Sequence, residues 1–363
     1  MRIKNIKLVN FRNYKDEQVT FGNNTNILYG ENAQGKTNLV EAVYLCAVGR
    51  SPRTTKDKEM IRTGADFARV SLEVEKREGV VKIDIIISKN QNKTIKINGL
   101  PILRMGELMG NINCIFFSPD ELKLVKESPQ DRRRFMDIDI SQMSKTYFYL
   151  LQRYEEILSS RNKLIKTTRD IKVLKETLPI YDVQLASVGS KIIISRIKFV
   201  NKLKNSANES NLFLTDGKEN LEIEYAGIIG ESAEEIEKIL LSEYYRTYDK
   251  DFSLGYTSVG PHRDDIKISV HGIDIRAYGS QGQQRTAALS LKLAELEIFT
   301  SEIGEAPILL LDDVLSELDI GRQEKLLERI QSVQTLLTCT HLQHLNQKNQ
   351  KQFHIASGSV LND

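Results

Sequence analysis

The chain has 363 residues, enough for one large domain or two ordinary ones with an ample core. Its 51 Lys and Arg residues against 49 Asp and Glu residues give a formal net charge of +2, so the overall charge does not indicate a nucleic-acid partner. Three isolated cysteines argue against a disulfide framework and against a zinc site. Since no signal peptide opens the chain and no apolar run approaches ~20 residues, we expect a soluble, cytoplasmic protein without a membrane partner.

Charge is unevenly distributed in the middle of the chain. Residues 145–204 contain 13 Lys and Arg against 5 Asp and Glu, a net charge of 13 − 5 = +8. Residues 209–251 contain 4 against 12, a net charge of 4 − 12 = −8. Two oppositely charged faces of one arm explain this pattern, and so does a nucleic-acid surface.

The first 21 residues predict two strands, because apolar residues recur among basic ones. Between them lies Phe11-Arg12-Asn13-Tyr14, which we expect at a strand end beside the glycine-rich loop that follows. Arg12 is therefore a candidate nucleotide contact, although an ordinary hairpin turn fits the same residues.

Residues 30–37 fit the pattern G-x-x-x-x-G-K-[ST] of a phosphate-binding loop. A short β-prone run precedes the motif and a helical repeat follows it, which is the order that such a loop requires. Lys36 would reach the β- and γ-phosphates of ATP, and the Thr37 hydroxyl would bind Mg²⁺. The predicted ATP-binding residues of this loop are Gly30, Glu31, Asn32, Ala33, Gln34, Gly35, Lys36, Thr37 and Asn38.

A polar loop and a β-rich segment follow the helix. In the loop, Arg53 would supply positive charge to the γ-phosphate or would simply be solvated, and both interpretations fit. Residues 70–74, 80–88 and 94–97 read as strands, and Asn98-Gly99 predicts a type I′ hairpin turn. An antiparallel sheet is therefore inserted after the phosphate-loop helix.

The next 140 residues or so read as a mainly helical arm. A buried strand at 112–117 leads to a helix that begins at Asp120, and Pro179 separates two antiparallel helices of about 20 residues each. We therefore predict a head formed by residues 1–117 and 260–363, with an arm at 118–259. The arm segments are helices at 131 onward, 148–166, 182–204 and 233–245, and a strand at 221–225.

Basic residues of this arm are the candidate DNA contacts, because Lys and Arg bind backbone phosphates. A solvated helix face explains any single one of them equally well. The candidates are Arg132, Arg133, Arg134, Lys191, Arg196, Lys198, Lys202 and Lys204.

A second anion site is predicted near residue 280. After a hairpin at 266–270 and 273–278, the polar loop Ser280-Gln281-Gly282-Gln283-Gln284-Arg285 leads into a helix at 286–299. Glycine and polar groups at a helix N-terminus suit a bound anion.

Residues 307–313 form an apolar run that ends in two acids, which predicts a buried parallel strand with carboxylates at its C-terminal end. Asp312 would bind Mg²⁺ and Asp313 would act as general base toward water, unless the two acids merely cap the next helix. His341 follows another buried strand at 335–340, where it would sense the γ-phosphate or play a structural part. His341 and His344 are spaced for a metal, but no acid or cysteine cluster supports that reading.

Several of these stretches together carry a resemblance to the RecF family of bacterial recombination mediators, which have ABC- and SMC-like ATPase heads. The phosphate loop, the 280–285 loop and the acidic strand end followed by Ser316-Glu317-Leu318-Asp319 are similar to ABC-type heads generally. The narrower resemblance to RecF rests on residues 11–14, 117–122, 128–129 with 132–135, and 260–265.

The resemblance implies an α/β fold, namely an ABC-type P-loop ATPase head with a mixed sheet and an antiparallel β insertion, plus a helical arm. It implies that two subunits sandwich ATP, with Ser280, Gln281, Gly282 and Gln283 of one subunit facing the phosphate loop of the other. Asp319 would meet the opposite subunit.

As a function, the resemblance implies an ATP-gated dimer that clamps DNA at single-strand gaps and junctions of single- and double-stranded DNA. A slow, DNA-stimulated ATPase would reset the clamp. With RecO and RecR, such a protein loads RecA in recombinational repair, replication restart and the SOS response.

One departure concerns Ser118-Pro119-Asp120, where most ABC ATPases carry a Gln that bridges Mg²⁺ and water. Two rival functions also remain. A nucleotide-binding subunit of another ABC system usually carries Leu-Ser-Gly-Gly-Gln at the second loop, and a non-hydrolysing scaffold would bind DNA without nucleotide dependence.

Overall fold

The computed structural model describes residues 1–119, 123–342 and 350–361 and forms two compact units. Unit 1 comprises residues 1–122, 210–218 and 285–363, and unit 2 comprises residues 123–209 and 219–284. The predicted helix start at Asp120 and the residue His344 lie outside the described residues.

The strands are β1 (Arg2–Phe11), β2 (Tyr14–Thr20), β3 (Thr25–Tyr29), β4 (Phe67–Lys76), β5 (Gly79–Ser88), β6 (Thr94–Ile97), β7 (Leu100–Pro101), β8 (Cys114–Phe117), β9 (Leu221–Ala226), β10 (Asp265–Val270), β11 (Ile273–Asp274), β12 (Ile308–Asp312), β13 (Thr335–Cys339), β14 (Lys351–Ala356) and β15 (Ser359–Leu361). The helices are α1 (Lys36–Val48), α2 (Lys123–Lys126), α3 (Pro129–Met143), α4 (Lys145–Thr167), α5 (Ile171–Leu214), α6 (Ala233–Arg246), α7 (Tyr248–Leu254), α8 (Ile275–Tyr278), α9 (Gln281–Ile303) and α10 (Ile320–Arg329). None of these helices combines the length and the apolarity that a membrane span needs.

Unit 1 contains a largely parallel sheet in the order β15-β14-β3-β13-β12-β8, in which only β15 runs antiparallel to its neighbour. All five residues of β12 and all five of β13 are buried, as expected for parallel strands covered on both faces. Because β3, β13 and β12 run parallel, the phosphate loop after β3 and the two acids at the C-terminal end of β12 lie at the same edge of this sheet.

A second sheet of unit 1 is antiparallel, in the order β2-β1-β4-β5-β6-β7. Its hairpin between β6 and β7 has Asn98 at φ 50° and Gly99 at φ 85°, which confirms the predicted type I′ turn. Helix α1 contacts strands of both sheets and is buried almost all round. This arrangement confirms the predicted α/β head with an antiparallel insertion.

Unit 2 is mainly helical, but its long helix was predicted wrongly. Pro179 was predicted to separate two helices, but it lies inside α5, a single helix of 44 residues. A proline removes one hydrogen bond to the carbonyl four residues earlier. The buried residues Leu174, Leu178 and Leu185 carry one apolar stripe across the proline, and this packing outweighs the lost bond.

The segment after residue 260 also differs from the prediction. Strand β10 pairs with β9 along its whole length, so residues 260–284 belong to unit 2 and not to the head. The second strand of the predicted hairpin stops after two residues, because Asp274 caps α8 by accepting a hydrogen bond from the Arg276 N–H at 2.8 Å.

Candidate functional site

At the two glycines of its motif, the backbone of the phosphate loop has a conformation that favours glycine. Gly30 has φ 143° and Gly35 has φ 124°. A Cβ atom on Gly30 would lie 2.4 Å from the Ile355 carbonyl oxygen, and one on Gly35 would lie 2.8 Å from Asn13 Nδ2. The loop is therefore closely packed on its neighbours at both ends.

The Lys36 side chain folds back across this loop. Its ammonium donates hydrogen bonds to the carbonyl oxygens of Gly30 and Glu31, the latter at 2.7 Å. Burial lowers the pKa of Lys36, while Asp313 and Asp312 act in the opposite direction. The loop carbonyls thus hold a cation at the centre of the loop, where a phosphate would meet it.

Two threonines hold the Asp312 carboxylate at the edge of the parallel sheet. The Thr37 hydroxyl donates to Asp312 Oδ1 at 2.9 Å, and the Thr338 hydroxyl donates to the same oxygen at 2.8 Å. Burial raises the pKa of Asp312, and these two donors oppose the rise. The structure therefore brings together the two side chains that the sequence assigned to Mg²⁺.

Asp313 has a different environment from Asp312. It is exposed and has φ 54°, and its N–H donates to the Thr338 hydroxyl at 2.9 Å. Its side chain lines a cavity of about 340 Å³ in front of the phosphate loop. The cavity lining is Asn32, Ala33, Gln34, Gly35, Lys36, Thr37, Asn38, Arg53, Asp313 and Thr338.

Two further predicted site residues differ in their placement. Arg53 lies at the cavity, 46% exposed, and donates to Asn38 Oδ1 at 2.9 Å. His341 is exposed two residues beyond the end of β13, and the described cavity lining does not include it.

Arg12 lies in the turn between β1 and β2, as predicted, but each nitrogen of its guanidinium donates a hydrogen bond to another part of the protein. Nε and Nη2 donate to the Glu41 carboxylate at 2.8 and 2.6 Å, and Nη1 donates to the Glu59 carbonyl at 2.9 Å. The neighbouring Asn13 donates to the Gln34 carbonyl at 2.7 Å, so this turn does abut the phosphate loop.

The C-terminal hairpin forms the back of the phosphate loop, which sequence reasoning missed. Gly358 N–H donates to the Gln34 carbonyl at 2.9 Å, and Ser357 N–H donates to the Gln34 side-chain oxygen at 2.6 Å. These contacts join residues more than 300 positions apart. The Ser357-Gly358 turn between β14 and β15 is visible in the sequence, but the sequence does not show that it contacts Gln34.

The second predicted anion site lies at the start of α9. Ser280 caps this helix, because its hydroxyl accepts from the Gln283 N–H at 3.2 Å and its N–H donates to Gln283 Oε1 at 3.0 Å. Ser280 and Gln281 are exposed, and a Cβ on Gly282 would meet only the Ser280 hydroxyl, at 3.8 Å. An uncovered helix N-terminus of this kind attracts anions.

Asp319 lies at the N-terminus of α10 and is 57% exposed. Its carboxylate accepts from the Arg322 N–H at 3.0 Å, and this bond and the Arg322 charge lower its pKa. The side chain therefore caps a helix in this structure while remaining accessible.

The residues present fit Mg²⁺ and a nucleotide phosphate. Within the described ranges, no group of three His, Cys, Asp or Glu side chains is arranged to hold a metal without other ligands. Mg²⁺ in phosphate sites commonly has one or two protein oxygens and takes the rest from phosphates and water. The Thr37 hydroxyl and the Asp312 carboxylate form such a partial set.

Two of the predicted DNA contacts are contradicted. Arg132 is 3% exposed and makes a two-pronged ion pair with Asp265, and Arg196 is 3% exposed and binds Asp137 and the Pro261 carbonyl. A guanidinium that is buried and paired in this way is not available to a DNA phosphate, and removing either partner would leave an uncompensated buried charge. Sequence reasoning could not separate these arginines from exposed ones on the same helices.

The other predicted DNA contacts lie at or near the surface. Arg133 is partly buried and donates to the Asp264 carbonyl at 2.6 Å. The exposed candidates are Arg134, Lys191, Lys198, Lys202 and Lys204.

Residues 260–265 take part in a network of hydrogen bonds and close contacts within unit 2, a role that the sequence did not reveal. His262 Nε2 donates to the Thr257 carbonyl at 3.0 Å, so its Nδ1 accepts from the Tyr154 hydroxyl at 2.9 Å. Asp264 is buried and accepts from the Tyr225 hydroxyl. A Cβ on Gly260, which has φ 123°, would lie 2.4 Å from the Tyr154 hydroxyl.

Comparison with known proteins shows the family of this chain. The family model of the RecF/RecN/SMC N-terminal domain matches residues 2–359. A DNA replication and repair protein RecF from Acetivibrio thermocellus is 45% identical over 344 residues, which are 94% of this chain and 93% of that protein. RecF from Ruminiclostridium cellulolyticum is 43% identical over 368 residues, 99% of each chain.

Solved structures give the same result. A structure of the recombination mediator protein RecF with ATP in the RecFOR pathway has a TM-score of 0.90 and 38% identity, and the match covers 99% of this chain and 97% of that one. An SMC head bound to the C-terminal winged-helix domain of ScpA has a TM-score of 0.59 at 16% identity, covers 99% of this chain and 96% of that one, and shares the fold. The chain therefore belongs to the RecF family, within the wider group of RecF, RecN and SMC N-terminal domains.

Proposed function

We propose that this chain is an ATP-dependent, DNA-binding recombination mediator. Two copies close on DNA when ATP is bound, act at single-strand gaps and at junctions of single- and double-stranded DNA, and reopen after slow, DNA-stimulated hydrolysis. The observation that carries the proposal is the pair of hydrogen bonds that joins Thr37 of the phosphate loop and Thr338 to the Asp312 carboxylate.

ATP would lie in the cavity in front of the phosphate loop. The loop N–H groups and Lys36 would hold its phosphates, and Thr37 and Asp312 would hold Mg²⁺. Mg²⁺, when bound, neutralises charge on the phosphate oxygens. The ATP complex of a RecF protein that is 38% identical supports this ligand.

Asp313 is the proposed general base. Its exposure, its place on the cavity wall and the hydrogen bond from its N–H to Thr338 support this role, because the carboxylate is free to reach water while its backbone is fixed. Asp has a shorter side chain than the Glu that many ABC ATPases carry here, which fits slow turnover. His341 is proposed as a γ-phosphate sensor from the neighbouring strand end.

The second copy would contribute the helix terminus at Ser280. The exposed Ser280 hydroxyl and the lack of crowding where a Cβ of Gly282 would lie support the approach of a phosphate to the N-terminus of α9. Asp319 would meet the opposite subunit. ATP held between two copies in this way would make dimerisation depend on the nucleotide, which is the basis of the proposed clamp.

DNA would bind the exposed cations of unit 2. Lys191, Lys198 and Lys202 are spaced by seven and four residues on α5, so they share one helix face. Their spacing spans ~16 Å along the helix, enough for several backbone phosphates. Contacts of this kind predict strong salt dependence and little sequence preference.

The partners and the location are proposed from the family. The solved relatives are described as recombination mediators of the RecFOR pathway. We therefore propose that this chain acts in the cytoplasm with RecR, and with RecO indirectly, to load RecA.

The direct test is fluorescence anisotropy of labelled gapped DNA with ATP·Mg²⁺, with ADP·Mg²⁺ and without nucleotide. The proposal predicts binding about tenfold tighter with ATP than in the other two conditions, a difference of about 1.4 kcal/mol. Lys36→Met should abolish this difference. Equal DNA affinity in all three conditions would favour the non-hydrolysing scaffold, and an absence of DNA binding would favour another ABC system.

A further inference from the structure

Glu41 is a buried acid beside the nucleotide site to which the proposed mechanism assigns no part. It lies on α1, one helical turn after Thr37, and is 1% exposed. A buried carboxylate is costly unless several donors compensate it. Here the donors come from two separate segments of the chain.

The first segment is the turn between β1 and β2. Arg12 makes two hydrogen bonds to the Glu41 carboxylate, at 2.8 and 2.6 Å, and a third to the Glu59 carbonyl. The two opposite charges compensate each other in a geometry that fixes the guanidinium plane. The charge of Glu41 is therefore already balanced by Arg12.

The second segment is the loop after α1, which carries Arg53. The Ser51 hydroxyl donates to Glu41 Oε1 and accepts from the N–H groups of Arg53 and Thr54, at 2.9 and 3.2 Å. A serine hydroxyl can donate one hydrogen bond, and here Glu41 accepts it. Through Ser51, the Glu41 carboxylate thereby fixes the loop backbone at Arg53 and Thr54.

The Arg53 guanidinium is left at the edge of the nucleotide cavity. It lies 3.6 Å from Glu41 Oε2 and donates to Asn38 Oδ1 at 2.9 Å, yet it remains 46% exposed and lines the cavity. Since Arg12 balances Glu41, the positive charge of Arg53 is available to an anion in the cavity. A guanidinium at that place favours the ligand with more phosphate charge.

We propose that Glu41 is a positioning residue that sets the preference for ATP over ADP, by fixing the Arg53 loop through Ser51 while Arg12 balances its charge. This inference rests on the proposed function, because it assumes that ATP binds at the phosphate loop. It assigns to Arg12 a part in organising the site and to Arg53 the contact with the terminal phosphate.

The test is equilibrium displacement of a fluorescent nucleotide by ATP and by ADP, each with Mg²⁺. Arg53→Gln should weaken ATP binding about tenfold and ADP binding less than about twofold. Glu41→Gln and Ser51→Ala should each reproduce this selective loss. The double variant Glu41→Gln with Arg53→Gln should lose no more than Arg53→Gln alone, because both changes remove the same interaction.

The outcomes separate this inference from the proposed function. If Glu41→Gln and Ser51→Ala weaken ATP and ADP equally, or if Glu41→Gln adds to Arg53→Gln, Glu41 has only a structural part and the inference is wrong. Ser51→Ala leaves the pair of Arg12 and Glu41 intact, so it reports on the loop even if Glu41→Gln does not fold. If the wild-type protein binds neither nucleotide, the proposed function fails as well.

Discussion

At the scale of single residues, Thr338 joins the two acids of the candidate site. Its hydroxyl donates to Asp312 and accepts from the Asp313 N–H, so one side chain fixes both the proposed Mg²⁺ ligand and the proposed base. The hydroxyl is buried, and water cannot easily replace it.

We predict that Thr338→Val lowers the free energy of unfolding by about 1–2 kcal/mol, because the buried Asp312 carboxylate and the Asp313 N–H each lose a hydrogen bond. The ATP hydrolysis rate should fall as well, since both acids lose their common support. Thr335→Val is the matched control, because Thr335 is buried on the same strand and its hydroxyl donates to the Val333 carbonyl at 3.2 Å, away from both acids. Urea unfolding and single-turnover hydrolysis measure both effects, and equal hydrolysis rates in the two variants would contradict the prediction.

His262 and Asp264 give unit 2 two opposing pH dependences. Burial lowers the pKa of His262 to about 4, so the unfolded chain binds more protons and stability falls as the pH drops from 6.5 to 4. Burial raises the pKa of Asp264 to about 6, so the folded chain binds more protons and stability falls as the pH rises from 3.8 to 6. Between pH 4 and 6 the two contributions nearly cancel.

We therefore predict that substituting either residue alone reveals the pH dependence of stability that the other residue causes. Asp264→Asn should lose roughly 3 kcal/mol of unfolding free energy, relative to the wild-type profile, as the pH falls from 6 to 4. His262→Gln should show the opposite trend over the same window. Urea titrations at steps between pH 4 and 6 measure both slopes, and parallel profiles for the two variants would rule out this account.

At the scale of elements, the hairpin of β14 and β15 supports the phosphate loop from behind. Gly358 has φ 73°, and a Cβ there would lie 2.5 Å from the Asn13 carbonyl oxygen. Gly304 has nearly the same φ, 76°, but open space where a Cβ would lie. The two glycines therefore separate backbone strain from crowding.

We predict that Gly304→Ala costs about 1 kcal/mol of stability through strain alone and leaves nucleotide affinity unchanged. Gly358→Ala should cost more and should weaken ATP binding, because it pushes the hairpin away from Asn13 and Gln34. Nucleotide titration combined with thermal unfolding compares the two variants. If Gly358→Ala binds ATP as tightly as Gly304→Ala does, the hairpin does not support the loop.

Local sequence patterns predicted the segments of the candidate site better than they predicted features that depend on tertiary packing. The phosphate loop, the acidic strand end and the turn at Asn98-Gly99 have strong local signatures, because specific backbone angles or charges are required there. The continuity of α5 through Pro179 depends on the burial of leucines on both sides of the proline, which local sequence does not specify. Likewise, the partners of Glu41 and Gln34 come from segments that are adjacent only after folding.

At the scale of the whole molecule, only some of the cations in the basic segment of the sequence lie at the surface. Of the eight predicted DNA contacts, Arg132 and Arg196 are buried in ion pairs, whereas the lysines of α5 are exposed. Composition could predict a basic segment but not which cations it exposes. The DNA-binding proposal therefore rests on the exposed lysines.

We predict that replacing Lys191 and Lys198 together by Gln weakens DNA binding equally for all sequences and lowers the salt slope of log K by about 2. Lys172→Gln is the control, because Lys172 is exposed near the other end of the same helix. Anisotropy titrations over a range of salt concentrations give the slopes. An unchanged slope in the double variant would remove this face from the DNA site.

In the proposed clamp, ATP joins two copies through the phosphate loop of one and the Ser280 loop of the other. Light scattering should give a molar mass near 41.4 kDa with ADP·Mg²⁺ and about twice that value with ATP·Mg²⁺. Lys36→Met should stay monomeric with ATP, and Ser280→Arg should stay monomeric although it still binds ATP. A molar mass that does not change with ATP, or an ATP-dependent dimer that still forms with Ser280→Arg, would rule out a dimer closed through the Ser280 loop.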